Sequence, residues 1–190
     1  MLNWFKPDSD DAISLLKKDH DKVKDLFEAF DKAEKHAAKK KIADEAMLEL
    51  KLHAELEEKI FYPAVRKKVG SDIMNEADEE HHVAKVLIAE LEEMDGRGDH
   101  WEAKFTVLTE SVEHHIEEEE EDMLPKARKL DIDFDALGEE MLALREKLLA
   151  EGFPVVGEEK MVAASKGQGD SPAQAAKKTV KAAPKKKSAA

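Results

Sequence analysis

His53-Ala-Glu-Leu-Glu57-Glu-Lys-Ile-Phe-Tyr-Pro63 and His115-Ile-Glu-Glu-Glu119-Glu-Glu-Asp-Met-Leu-Pro125 are two versions of one phrase. Each sets a glutamate four residues after the histidine and a proline ten after it, with two large apolar residues just before the proline. Residues four apart share a helix face, so each phrase reads as a helix that points a histidine and a glutamate the same way. A weaker echo joins two other stretches. Asp19-His20 is followed by Val23-Lys24 and Leu26-Phe27, and Glu80-His81 by Ala84-Lys85 and Leu87-Ile88. The chain therefore reads as two related helical hairpins, each giving one lone histidine and one His-x-x-x-Glu pair.

Working outward, apolar residues recur at helical spacing in five stretches: A (Ser9 to Lys35), B (Lys40 to Val69), C (Ser71 to Met94), D (Asp99 to Leu130) and E (Asp133 to Ala150). Ser9 precedes an acidic first turn, Gly70-Ser71 separates B from C, and Gly96 with Gly98 flanks the turn into D. Short connections imply antiparallel neighbours. The expected fold is all-α, an antiparallel up-down four-helix bundle with an additional C-terminal helix and a disordered basic tail. Residues 1–152 form the domain, with a metal core over 9–130 and the extra helix over 133–150; residues 153–190 form the tail. Helix E carries Phe134, Leu137, Met141, Leu144 and Leu148 at helical spacing and packs outside the bundle or on a second copy.

Composition agrees. Charged residues make up 39% and aromatics 5%, which suits long helices better than strands with tight turns. With no cysteine, disulfides, thiolate zinc sites and cysteine-held iron–sulfur clusters are excluded, so any metal takes nitrogen and oxygen ligands. Residues 160–190 carry eight lysines against one aspartate, about +7, which leaves about −20 on residues 1–159. The body is unsuited to nucleic acid or anionic lipid; only the basic tail suits nucleic acid. No apolar run reaches membrane-spanning or signal-peptide length, so the expectation is a soluble, cytoplasmic protein, monomer or dimer, with no membrane partner.

Phase separates the eight histidines. His20 lies on the seam Ile13, Leu16, Val23, Phe27, and His53 on Ala46, Leu50, Glu57, Ile60. His81 falls in line with Met74, Ala77, Ala84 and Ile88, whereas His82 falls with polar Asn75, Asp78 and Lys85. His115 sits with Leu108, Val112 and Glu119, whereas His114 sits with Val107, Ser111 and Glu118. His36 and His100 lie beside turns. Counting outward from each turn also puts His20, His53, Glu57, His81, His115 and Glu119 at similar heights, within about a turn or two at 1.5 Å per residue.

One histidine on an apolar face is usually a hydrogen-bonded core residue, and Glu117 to Glu121 alone would read as a solvated face. The combination is different: two core-facing carboxylates each cost several kcal/mol unless a cation or proton compensates them. Imidazole nitrogen with carboxylate oxygen suits iron or manganese, and six ligands are too many for one tetrahedral zinc and too few to saturate two octahedral ions. Two metals with open positions follow, with Glu57 and Glu119 as bridges, two histidines on each ion, and room for a small ligand such as O2 or peroxide. Tyr62 and Met123 lie nearby in sequence and could tune the site, although aromatic and Met residues at helical spacing are usually plain core. Pro63 and Pro125 should kink or stop their helices a turn or two beyond each glutamate.

The lone His20 in Asp-His-x-x-Val-Lys, the His53-x-x-x-Glu57-Glu-x-x-Phe-Tyr-Pro run, the Glu-His81 helix and the His115-x-x-x-Glu119-Glu run ending in proline resemble the hemerythrin HHE cation-binding family. The resemblance spans roughly residues 9 to 130. It implies a nonhaem diiron centre with an oxo or hydroxo bridge, manganese being the other metal considered, and a role in oxygen carriage or sensing, iron handling, or peroxide or nitric oxide chemistry. Oxygen-carrying hemerythrins have a His-x-x-x-His pair in helix C and an aspartate five residues after the helix D histidine. Here Ala77 and Lys85 flank His81 at four residues, which argues against simple carriage. Three readings stay open: a diiron protein that senses or buffers O2, oxidants or iron; a catalase-like peroxide-decomposing enzyme, with no catalytic residue assigned; and a helical interaction module with histidines in its core.

Overall fold

The computed structural model describes residues 11–94, 96–154 and 157–166. Helix α1 (Ala12–Lys32) starts at Asp11, whose carboxylate accepts the Ser14 amide at 3.0 Å. The expected start at Ser9 lies outside the described residues, and the cap is one of the acidic residues assigned to the first turn. Helix α2 (His36–Leu56) begins four residues earlier than expected and runs through a π-helical turn, Glu57–Phe61, into α3 (Tyr62–Val69). Gly70, with φ 129°, makes the corner into α4 (Ser71–Glu93). Beyond Gly96 and Gly98, both at positive φ, α5 (Asp99–Glu118) passes through a second π-helical turn, Glu119–Met123, into α6 (Leu124–Ala127).

The two π-helical turns refine the expectation placed on the prolines. Pro63 and Pro125 have no amide hydrogen and would clash with the carbonyl four residues back, so an unbroken α-helix is barred there. The chain neither stops nor breaks. It widens by one residue, the Tyr62 amide reaching the Glu57 carbonyl and the Leu124 amide the Glu119 carbonyl, and then resumes. Both wide turns begin at a core glutamate.

The chain is all-helical among the described residues, and α1, α2–α3, α4 and α5–α6 form the bundle: α1 packs on α2 and α5, and α4 on α2, α3 and α5. Its interior has two apolar layers. One contains Ile13, Leu16, Leu56, Phe61, Val65, Met74, Met123 and Phe134; the other contains Val23, Phe27, Phe30, Leu50, Ile88, Trp101, Phe105 and Val112. A buried polar layer of Asp19, His20, His53, Glu57, His81, His115 and Glu119 completes the interior.

Helix α7 (Phe134–Glu151), capped by Asp133, packs on α1 and α2 of its own chain. This selects between the two placements left open for helix E. Part of the expected tail is also structured: α8 (Gly157–Lys166) packs on α4, with Val162 buried, Glu158 2.8 Å from His82 and Glu159 3.0 Å from Lys51. The described structure thus places a helix within the segment read as tail. Ion pairs with distant residues help hold the helix, and such pairs leave no periodicity to read from sequence. The lysine-rich remainder after residue 166 lies outside the described residues.

Candidate metal centre

The six residues expected to share a site come together in the buried polar layer. Glu57 is fully inaccessible to solvent, and His20 and Glu119 are each 1% exposed. His20 Nε2 lies 3.2 Å from His53 Nε2, and His81 Nε2 the same distance from His115 Nε2. Glu57 Oε2 stands between the two pairs, 3.1 Å from His53 Nε2 and 3.2 Å from His81 Nε2. Glu119 Oε2 is 3.3 Å from His20 Nε2 and 3.8 Å from His115 Nε2. Two groups of converging donors result, His20, His53, Glu57 and Glu119 in one and Glu57, His81 and His115 in the other, with donor atoms of each within 4.8 Å of one another.

These separations fit a cation. Bonds of about 2.1 Å at near right angles put neighbouring donors about 3 Å apart. Glu57 Oε1 and Glu119 Oε2 are buried and receive no hydrogen bond, an arrangement that leaves carboxylate charge uncompensated unless something else binds it. The near Nε2–Nε2 pairs need a shared proton or cation for the same reason.

Each imidazole is fixed from behind. His20 Nδ1 donates to Glu120 Oε1 at 2.9 Å, His81 Nδ1 to Glu58 Oε1 at 2.9 Å, and His115 Nδ1 to Glu80 Oε2 at 2.7 Å. His53 Nδ1 faces Asp19 Oδ2 at 3.5 Å. A carboxylate only accepts, so Nδ1 carries a proton; a ring that gives up its Nε2 proton then turns that lone pair inward, the tautomer a metal requires. Lys24 and Lys85 in turn hold Glu120 and Glu58, at 3.4 and 2.6 Å, and Arg145 of α7 pairs with Asp19.

The sequence reading did not assign these four carboxylates, although it contained their signal: an acid precedes each lone histidine, and a second glutamate follows each core glutamate. Arg145 had no such signal. The core assignment of Tyr62 was incomplete. Its hydroxyl donates to Glu119 Oε1 at 2.8 Å and lies 3.4 Å from Glu57 Oε2 and 3.3 Å from His81 Nε2, with its ring stacked on His81. Met123, by contrast, is buried in an apolar layer as expected. His82 and His114 stay exposed, outside both donor groups.

Charge follows geometry. Burial, the largest influence, would depress the His53 imidazole, but Glu57, Asp19 and Glu119 together more than reverse it and raise its pKa to about 10. His81, likewise opposed by burial, is raised to about 9 by Glu57, Glu58 and Glu119. Glu57 goes the other way: burial pushes it up, but His53 and His81 hold it well below the ordinary carboxylate range. Burial beside Glu57 and Glu119 keeps the Tyr62 phenol protonated, its pKa well above the usual value. Metal-free, the site makes up its missing positive charge with protons.

A helical bundle with converging imidazoles and carboxylates in a buried layer defines a cation-binding protein. Residues 11–127 match the hemerythrin HHE cation binding domain, and the chain belongs to that family. It is 28% identical over 141 residues to the uncharacterised proteins Rv2633c of Mycobacterium tuberculosis and Mb2666c of Mycobacterium bovis, covering 72% of this chain and 86% of each relative. The crystal structure of an HHE cation-binding domain-containing protein from Mycobacterium kansasii, a homologue of Rv2633c, aligns with a TM-score of 0.62 at 25% identity, over 76% of this chain and 95% of that one. Among the described residues no helix is long and apolar enough to cross a membrane.

Proposed function

We propose that this protein is a nonhaem diiron protein that senses or buffers O2, oxidants or iron, with His20, His53, His81 and His115 as terminal ligands and Glu57 and Glu119 as bridges. The observation that carries the reading is the position of Glu57 Oε2, within 3.2 Å of an Nε2 from each histidine pair. A carboxylate placed between both pairs is in position to bridge two ions, through one oxygen or through both. Iron is preferred over manganese because imidazole-rich donor sets suit it, while carboxylate-rich ones suit manganese.

Iron held there would supply reversible electron transfer to a small oxidant. The protein's share is orientation and charge. Glu120, Asp19, Glu58 and Glu80 aim the four imidazoles, and the two apolar layers keep bulk water from the donors. The Tyr62 hydroxyl directs its proton at Glu119 Oε1, 2.8 Å away.

That proton favours a second reading, a catalase-like peroxide-decomposing enzyme, because a buried phenol beside the donors can hand a proton to a departing oxygen. Addition of peroxide to iron-loaded protein separates the two. Rapid O2 release, lost in His115→Ala and slowed in Tyr62→Phe, would establish the enzyme. A spectral change without turnover is the result expected for a sensor or buffer. Wild-type metal content in the double variant Glu57→Ala, Glu119→Ala would refute both.

A further inference from the structure

His114-x-x-x-Glu118 repeats the spacing of His115-x-x-x-Glu119 one residue earlier on α5. A shift of one residue turns the pair by about 100°, so the motif that faces the buried layer is presented a second time to solvent. The His114 side chain is 61% exposed and that of Glu118 41%. Glu80 of α4 joins the two levels. Its Oε2 accepts from His115 Nδ1 at 2.7 Å, and its Oε1 lies 3.9 Å from His114 Nε2, which is 3.5 Å from Glu118 Oε1. Glu80, His114 and Glu118 thus turn an imidazole nitrogen and two carboxylate oxygens toward one another, all within 4.8 Å. Metal bonds of about 2.1 Å at tetrahedral angles put donors about 3.4 Å apart, which small rotations of these accessible side chains reach.

The other three carboxylates behind the rings each meet a cationic side chain: Lys24 for Glu120, Lys85 for Glu58 and Arg145 for Asp19. Among the described residues Glu80 meets no lysine or arginine, only His115 and His114. The internal repeat makes the contrast specific. Glu80 stands where Asp19 stands, and His114 and Glu118 stand where the buried Leu52 and Leu56 stand. Helix α7 packs over α1 and α2 and brings Arg145 to Asp19. The second hairpin has an open imidazole–carboxylate group at the corresponding place, flanked by exposed Glu79, Glu113 and Glu117, whose field favours a cation.

We propose that Glu80, His114 and Glu118 form an outer site for a divalent first-row metal ion, which gives Glu80 the positive charge that Arg145 gives Asp19. Imidazole with carboxylate suits ions of that class. With three protein donors beside solvent, the outer ion exchanges with bulk and leaves on desalting, unlike metal enclosed in the buried layer. Binding there does not depend on the diiron reading.

Zinc alone, titrated into the full chain, tests the proposal; bound ions are counted by equilibrium dialysis and the imidazole nitrogens followed by NMR. Wild type should bind one more zinc ion than His114→Ala, and zinc should shift the ring signals that His114→Ala removes. Glu118→Gln should weaken that ion by more than about tenfold, because losing a ligand costs more than losing a ligand's hydrogen-bond partner. His82 is the control, half-exposed and 2.8 Å from the single carboxylate of Glu158. His82→Ala should leave the zinc count unchanged. These substitutions fall on solvent-accessible side chains, and a cooperative thermal melt checks that each variant folds. Equal counts in wild type and His114→Ala, or equal losses in His114→Ala and His82→Ala, overturn the outer site. The diiron reading fails separately: iron retained in Glu57→Ala with Glu119→Ala contradicts it and leaves the zinc difference at His114 untouched.

Discussion

The two hairpins supply nearly the same parts to the site. His20, His53 and Glu57 in one correspond to His81, His115 and Glu119 in the other, and Asp19, Lys24 and Glu58 to Glu80, Lys85 and Glu120. The hydrogen bonds cross between them: Glu58 of the first hairpin holds His81 of the second, and Glu120 of the second holds His20 of the first. Neither hairpin can orient its own lone histidine. The halves differ at two points. Tyr62 occupies the position that Leu124 takes in the second hairpin, and its ring stacks on His81 alone. Asp19 is anchored by Arg145 of α7, whereas Glu80 faces the exposed His114 at 3.9 Å. The repeat thus supplies matching parts to the two donor groups, and the departures from it make their surroundings chemically unlike.

Removing the shared carboxylate should do most to that arrangement. Glu57→Ala is expected to abolish metal binding at both positions, because each donor group includes Glu57. Metal content measured by plasma emission checks this, and retention of one ion would show that the halves bind independently. Next in size are the residues that orient single imidazoles. Glu80→Ala should weaken metal at the His81/His115 position by about 10- to 100-fold, the usual cost of losing a ligand's hydrogen-bond partner. Arg145→Ala, one step further from His53, should weaken the other position by less than about tenfold. Competitive chelator titration resolves the two, and equal losses at both positions in either variant would break the proposed division.

Protons provide a test without mutation. Metal-free His53 and His81 have folded pKa values of about 10 and about 9 against an ordinary value of 6.5. Values above the unfolded ones mean that protonation favours the fold: the contribution is complete below about pH 6.5 and is lost as pH rises through 9 and then 10. Thermal melts of metal-free protein should therefore decline across that window. Metal must displace the same protons, so binding at pH 7.5 should release about two per chain, read by calorimetry in buffers of different ionisation enthalpy. The smallest effect expected is that of Tyr62→Phe on stability, about 1 to 2 kcal/mol for a buried acceptor left without its donor, with metal content unchanged.

The sequence made the bundle and the candidate donors legible because both rest on periodicity. A helix face repeats every three or four residues, so His81 could be told from His82 and His115 from His114, and the structure buries the former pair and exposes the latter. The carboxylates behind the rings were harder to assign. Their partners lie across the bundle, and Glu58 and Glu120 fall just off the core face, where a glutamate looks like any solvated one. Arg145 and the α8 contacts join segments more than 75 residues apart through single ion pairs, which leave no periodic trace. Tyr62 was left between a tuning role and plain core for another reason. Its phase is that of a core residue, and it follows directly on the π-helical turn with its hydroxyl among the donors.

Iron content per folded chain, measured after anaerobic loading with ferrous iron and desalting, tests the central claim most directly. The account predicts two irons in wild type, none in Glu57→Ala with Glu119→Ala, and a diferric absorption band that disappears with them. One iron in wild type, or two retained in the double variant, would contradict it.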